Sequence, residues 1–259
     1  MIVLYEHPLS PFVQKVKIAL RENGIEFEPR IPDLFGGGDP DFTAANPRRE
    51  VPALIDGDTA VFDSTIILEY VEDRWPEPAL LPATAGARAR ARMLEEVCDT
   101  YYEAINWAVF EVRVFQRATG ALADELLARA AHQVAGVNAY LDRQLADQPF
   151  FDGTRFGRSD LSVVPVVHAA ALSGHGPDAG SALARWLDRV RERVSVAQTF
   201  EEALHSLGGF EMLPDLVRSG QFTREYRDHR LEWMLRSGGV DIVLEGLRRK
   251  NIRFSHELQ

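Results

Sequence analysis

Hydrophobic residues at the start of the chain come first as an unbroken run, Ile2-Val3-Leu4-Tyr5, and then at helical spacing, Phe12, Val16, Ala19 and Leu20. The run predicts a buried strand, and the spaced set predicts a helix over Pro11 to Glu22. Ser10 stands at the N-cap of that helix, Pro11 in its first turn, and Asn23-Gly24 supplies a stop signal. A second strand follows at Ile25 to Pro29. A connection containing Phe35-Gly36-Gly37-Gly38 then leads to a hairpin, Ala53 to Asp56 and Ala60 to Phe62, around Asp56-Gly57-Asp58. A helix from Ser64 to Arg74 closes the unit and offers Ile66, Ile67, Tyr70 and Val71 to its core. The predicted order is β-α-β, a connection, then β-β-α.

The pattern changes after Trp75. Trp75-Pro76-Glu77-Pro78 and Leu80-Leu81-Pro82 form a proline-rich breakpoint, followed at once by Ala-rich helical composition. One long helix is predicted from about Ala87 to Thr119, with Met93, Val97, Tyr101, Ile105 and Ala108 as its apolar stripe. Further helices are expected over Ala121 to Ala146, from Arg158, over Gly180 to Arg191 and over Val196 to Leu207, with Gly208-Gly209 closing the bundle. Phe222, Tyr226, His229 and Trp233 again recur at helical spacing, and Val240 to Leu247 carries another apolar set, predicting two more helices packed on the bundle. This divides the chain into an α/β unit at 1–75, a linker at 76–85, an all-helical domain at 86–208 and a helical extension at 209–259.

Composition narrows the classes of function. With 259 residues and 46% hydrophobic content the chain can build two modest cores. Asp and Glu outnumber Lys and Arg by 39 to 29, a net charge of −10 that argues against general affinity for nucleic acid or anionic membranes. No apolar run reaches the roughly 20 residues of a membrane span, and Met1 to Leu9 lacks the regions of a signal peptide. A cytoplasmic protein is expected. Cys98 is the single cysteine, so no intramolecular disulfide can form, and neither CxxC nor a zinc ligand set is present. Cys98 itself reads as a small buried hydrophobe on a helix.

Three motifs, Ser10-Pro11-Phe12, Glu50-Val51-Pro52-Ala53-Leu54 and Asp63-Ser64, fall in order within the first 75 residues. Together with the element order and the all-helical remainder, this resembles the glutathione S-transferase superfamily over residues 1 to 208, in its Ser-type branch: a thioredoxin-like α/β domain followed by a helical domain. The last 50 or so residues lie outside the resemblance. The superfamily usually caps a helix in mid-bundle with Ser or Thr three residues before an Asp. Here Asp160 fits the acidic position while Gly157 takes the cap, a weakened but usable device that makes Asp160 structural.

The resemblance implies conjugation of reduced glutathione, the co-substrate, to a hydrophobic electrophile by a homodimer, without metal, nucleic acid or membrane. A free thiol near pKa ~8.5 is only a few per cent ionised at neutral pH, and each unit of depression needs about 1.4 kcal/mol of thiolate stabilisation. Ser10, at a helix start where N–H groups and the helix dipole favour an anion, is placed to donate to the sulfur. Tyr5 is the competing hydroxyl, otherwise a strand residue filling the domain interface, and His7 is a loop residue that could titrate near the thiol. No Cys stands where thiol-transfer branches carry one, which argues against mixed-disulfide chemistry.

For the peptide, the resemblance implies that Val51 pairs through its backbone with the cysteinyl part, that Pro52 is cis, and that Asp63 and Ser64 hold the γ-glutamyl end. Glu50 stands where relatives often carry Lys or Gln against the glycyl carboxylate; either Arg48 or Arg49 compensates, or the preference among thiol ligands is altered. The acceptor pocket is expected between the domains, lined by Leu9, Phe35, Tyr101, Tyr102, Ile105 and Asn106, with Phe110 beyond them. The extension could be core, a lid on that pocket or part of a subunit interface. Two other readings share the fold: a non-catalytic binding or regulatory protein, favoured by Glu50 and the extension, and a glutathione-dependent isomerase, lyase or dehalogenase.

Overall fold

The structure, a computed structural model, describes residues 1–33, 39–208, 210–222 and 229–252. The sheet has four strands in the order β2-β1-β3-β4, formed by β1 (Ile2–Tyr5), β2 (Phe27–Arg30), β3 (Ala53–Asp56) and β4 (Thr59–Phe62). β1 runs parallel to β2 and antiparallel to β3, and β3 antiparallel to β4. β1 is buried on both faces, which is why its sequence is uniformly apolar. Ile2 and Leu4 face α1 (Pro11–Glu22), α3 (Ser64–Arg74) and the large core shared with the helical domain. Val3 and Tyr5 face α2 (Pro40–Ala45) in a second, smaller core with Phe42, Ala45 and Ala53.

β2 begins two residues later than predicted because Ile25 closes the preceding helix. The Ile25 N–H bonds the Leu20 carbonyl at 2.8 Å and the Gly24 N–H bonds the Arg21 carbonyl at 3.0 Å, with Gly24 at φ +65° as this C-terminal cap requires. α2 was absent from the predicted elements. Its signal was Asp39-Pro40: the Asp39 carboxylate accepts from the Phe42 N–H at 3.0 Å and Pro40 takes the first turn. On α3 the core is Ile67, Leu68 and Val71, whereas Ile66 is exposed and Tyr70 half-buried, so the expectation for Ile66 is corrected.

The helical part starts with α4 (Ala85–Val97), a π-helical turn over Cys98–Tyr102 and α5 (Glu103–Arg113), in place of one helix to Thr119. Its buried stripe is Ala91, Leu94, Glu95, Cys98, Tyr102, Ile105, Val109 and Val112, which shares Ile105 with the predicted one and is otherwise out of phase with it, and Met93 is 61% exposed. The phase was misread because a buried acid, Glu95, counted as polar. α6 (Gly120–Leu145), α7 (Arg158–Leu172), α8 (Ala182–Arg191) and α9 (Val194–His205) complete the bundle around the fully buried Trp186. α1 packs directly on α7 and α9, so sheet domain and bundle share one core.

Asp160 anchors the start of α7. Its carboxylate accepts from Trp186 Nε1 at 2.7 Å and from the N–H groups of Phe151 and Gly157, each at 3.0 Å, while burial pushes its pKa up to about 7. Gly157 is the capping residue because nothing larger fits: a Cβ there would lie 2.7 Å from the Leu80 carbonyl oxygen and 2.5 Å from an Asp152 carboxylate oxygen. Gly157→Ser, which would restore the usual hydroxyl cap, is therefore expected to destabilise the protein by about 1–3 kcal/mol through overpacking. A urea titration checks this; a midpoint raised above that of the parent would contradict it.

Beyond residue 208, α10 (Leu213–Arg218), α11 (His229–Arg236) and α12 (Val240–Arg249) are formed. The expected packing of α11 and α12 on the bundle is not made by their apolar residues: Trp233, Ile242 and Leu247 are all exposed. The extension docks instead through Phe210 on Phe110, edge to face at 5.9 Å, and Phe222 stacked on Phe115 at 5.8 Å. Tyr226, part of the predicted helical set, lies outside the described residues.

Candidate functional site

The register of the sheet brings the three motifs together. Tyr5 pairs with Ala53, and Ala53 with Phe62. The loop after β1, the segment entering β3 and the turn leaving β4 therefore open at one end of the sheet, and they carry Ser10, Val51-Pro52 and Asp63-Ser64 respectively.

Ser10 is the N-cap of α1, with extended backbone, and its Oγ accepts from the Val13 N–H at 3.4 Å. That bond uses a lone pair and leaves the hydroxyl proton available for an anion at the helix start. The Ser10 N–H bonds the His7 carbonyl at 2.9 Å, tightening the loop. Burial holds the His7 imidazole below its ordinary 6.5, so His7 is neutral at pH 7. Tyr5 does not fill the domain interface as expected. It is 1% exposed on the opposite face of the sheet, its ring 5.1 Å from that of Phe42.

The Val51–Pro52 bond is cis, with Val51 half-buried and Pro52 buried. Asp63 sits at φ +73° and caps α3, its Oδ1 accepting from the N–H groups of Thr65 at 3.0 Å and Ile66 at 3.4 Å. Ser64 is buried beside it, and Asp63 is exposed. Arg49 is exposed at φ +58°, and the Arg48 guanidinium lies over the Phe62 ring, 5.7 Å from its centroid.

The residues expected to line an acceptor pocket separate into two groups. Leu9, Tyr101, Asn106 and Phe110 are half-buried. Asn106 is tied to the bundle, its Nδ2 donating to the Val166 carbonyl at 2.9 Å. Tyr102 and Ile105 are core residues, a correction to the expectation: Tyr102 is 0% exposed with its hydroxyl bonded to Asn138 Oδ1 at 2.7 Å, and Ile105 packs in the main cluster. The altered phase of the stripe through the π-helical turn brings Tyr102 inward in place of Tyr101, while Ile105 keeps the inward position it has in the predicted stripe. Phe35 lies outside the described residues. Cys98 is fully buried and burial pushes its thiol well up, so it is no nucleophile.

Sequence reasoning missed a buried ionic cluster beneath this end of the sheet. Lys15 Nζ contacts Glu95 Oε1 at 2.8 Å and Asp99 Oδ2 at 2.5 Å, and Arg158 contacts Glu95 Oε2 at 2.8 Å. Thr65 Oγ1 donates to Glu95 at 3.0 Å and Arg158 reaches the Thr65 carbonyl at 3.3 Å. The first turn of α3, which carries Ser64, is thus held by α1, α4 and α7 together. Burial works to raise the Glu95 pKa, but the charges of Lys15 and Arg158 hold it below its ordinary value; burial wins at Asp99, which is raised. A second pairing joins Lys17 to Glu6 at 2.5 Å and to Glu202 at 2.6 Å. The signal was in α1: with Val13, Val16, Ile18, Ala19 and Leu20 apolar nearly all round, Lys15 and Lys17 had no solvent face left. Among the described residues no group of His, Cys, Asp and Glu is arranged to hold a metal ion, and no helix is long and apolar enough to cross a membrane.

A thioredoxin-like sheet whose open end faces an all-helical domain, with a helix-capping hydroxyl, a Val–cis-Pro entry to β3 and an Asp-Ser helix start, defines a two-domain thiol-peptide-binding class. The chain belongs to the glutathione S-transferase family. Residues 4–79 match the family's N-terminal domain model and residues 124–189 its C-terminal domain model. It is 32% identical to glutathione S-transferase 3 of Zea mays over 208 residues, covering 76% of this chain and 91% of the relative. It is 30% identical to a maleylacetoacetate isomerase of Pseudomonas aeruginosa over 192 residues, 71% of this chain and 89% of the relative. A rice glutathione S-transferase solved in complex with glutathione superposes with a TM-score of 0.66 at 28% identity, covering 85% of this chain and 96% of that one.

Proposed function

We propose that the chain joins the thiol of reduced glutathione to a hydrophobic electrophile, with the Ser10 hydroxyl donating to the thiolate. The observation that carries this reading is the convergence of Ser10, Val51-Pro52 and Asp63-Ser64 at one end of the sheet. Val51 pairs through its backbone with the cysteinyl residue, Ser64 and the N-terminus of α3 receive the γ-glutamyl carboxylate, and Asp63 attracts its ammonium. Arg49, beside Arg48, offsets Glu50 at the glycyl carboxylate. The electrophile lies against Leu9, Tyr101 and Phe110. Neutral Ser is too weak a base to take the thiol proton, so its role is to favour the ionised sulfur.

Ile66 and Met93 are exposed, and a groove of about 480 Å³ runs along Arg48, Val61, Phe62 and Ile66. We read this apolar face as the contact surface of a homodimer. Calorimetric titration with reduced glutathione and its S-methyl analogue is expected to give micromolar to low-millimolar binding of both, and light scattering on the same sample twice the chain mass. Absence of binding by either ligand would overturn the transferase reading, and a monomeric mass the dimer. The similarity to a maleylacetoacetate isomerase favours a second reading, glutathione-dependent isomerisation through the same thiolate. Product analysis separates the two, since isomerisation returns glutathione unchanged and conjugation consumes it.

A further inference from the structure

Asn46 follows α2 and is 1% exposed, and its side-chain amide and its backbone both hydrogen-bond within the stretch from Phe42 to Glu50. Its Nδ2 donates to the Glu50 carbonyl at 2.7 Å, and its Oδ1 accepts from the Arg48 N–H at 2.9 Å. Its own carbonyl accepts from the Arg49 N–H at 2.9 Å, and its own N–H donates to the Phe42 carbonyl at 2.8 Å. The orientation of the side-chain amide is unambiguous, because one partner is a donor and the other an acceptor. Residues 46–50 are thereby folded around a single buried amide, with Arg49 at φ +58° completing the reversal.

We propose that Asn46 is a positioning residue that aims the Val51 N–H at the cysteinyl backbone of the bound peptide. The peptide unit between Glu50 and Val51 is planar and trans, so its C=O and N–H point in opposite directions. Once the Glu50 carbonyl is pinned inward by Asn46 Nδ2, the Val51 N–H must point away from the buried amide. It donates to no other described residue. Asn46 thus sets the donor of Val51 without touching the ligand, and α2, which holds Asn46 in place, becomes part of the binding apparatus. The inference rests on the glutathione reading above.

Asn46→Asp separates aim from fold, because the carboxylate still accepts from the Arg48 N–H but sets an oxygen against the Glu50 carbonyl. The test is exchange of individual amides by NMR, with and without S-methylglutathione, beside steady-state kinetics. In the parent protein the Val51 amide is expected to exchange rapidly when free and at least about tenfold more slowly with ligand, while the Arg48 amide is protected in both states. In Asn46→Asp the ligand-induced slowing at Val51 disappears and KM for glutathione rises about tenfold, the scale of one lost hydrogen bond, whereas kcat at saturation and the exchange of Leu54 and Ile55 in β3 stay near the parent's. A Val51 amide already protected in the free parent, or a variant KM within twofold of the parent's, overturns the proposal. If Asn46→Asp does not fold, the parent's exchange pattern still decides the direction of the Val51 N–H. A parent that binds no S-methylglutathione sinks the glutathione reading instead, and shows itself before any variant is made.

Discussion

Replacing Ser10 by Gly is expected to lower kcat about 100-fold, with the affinity for glutathione changed less than about threefold. The magnitude follows from removing one donor aimed at developing charge, which costs roughly 10²–10³ in rate; the split between kcat and affinity follows because the neutral thiol hardly needs that donor. Gly is the informative substitution, since it keeps an acceptable N-cap at a cost of only a few tenths of a kcal/mol, whereas Ala would sacrifice about 1 kcal/mol of helix stability as well. pH provides an independent readout. Without the Ser10 hydroxyl the bound thiol titrates nearer its free value of ~8.5, so the variant's rate climbs steeply from pH 7 to 9 while the parent's is nearly flat. Neutral His7 beside the loop cannot substitute as a cation. Unchanged turnover in Ser10→Gly would remove Ser10 from the role.

Glu95→Leu is expected to destabilise the protein by about 3–5 kcal/mol, the cost of leaving buried charges without their partner. Among the described residues Glu95 is the only carboxylate shared by Lys15 and Arg158, both of which are at most 2% exposed. Asp99 retains Lys15, and Glu69 retains Arg158 at 3.3 Å, so the loss is bounded by these secondary contacts. The acid limb tests the same cluster. Because Glu95 titrates below its ordinary 4.5 in the folded protein, its contribution is fully present above that value and lost as pH falls through the lowered one. The parent should therefore lose stability more steeply below about pH 4.5 than Glu95→Gln does. Chemical denaturation at pH 7 and pH 3.5 reads both effects; a Glu95→Leu midpoint equal to the parent's would show the cluster to be energetically neutral.

Much of the sheet domain was legible in the residues because its signals are local. Ser10-Pro11 opening α1, Gly24 ending it, Gly57 turning the hairpin and Asp63-Ser64 opening α3 each act within a few residues of themselves. α2 was equally local, and Asp39-Pro40 announced it; six residues carry too little periodicity to be seen by pattern alone. The helical domain was legible as a succession of helices, but neither the break of the first into α4 and α5 nor the facing of that pair was. The stripe through α4 and α5 was placed wrongly because polarity was taken as exposure, and at Glu95 a carboxylate is buried by ion pairing. The apolar sets of the extension were seen, yet their spacing carried no information about what they cover.

The sequence alone determined the order of the four strands with α1 and α3, the three motifs and the family they resemble, because strand runs, helix caps and turn residues are fixed by backbone preferences that act over a few positions. Only the tertiary structure decided which side chains meet: that Tyr5 faces α2, that Tyr102 and Ile105 are core, that Lys15, Glu95 and Arg158 lock the start of α3, and that Asn46 holds the loop before Val51. Those outcomes depend on contacts between residues as far apart as Lys15 and Glu95, whose pairing offsets the cost of burial only after the two domains have closed over them.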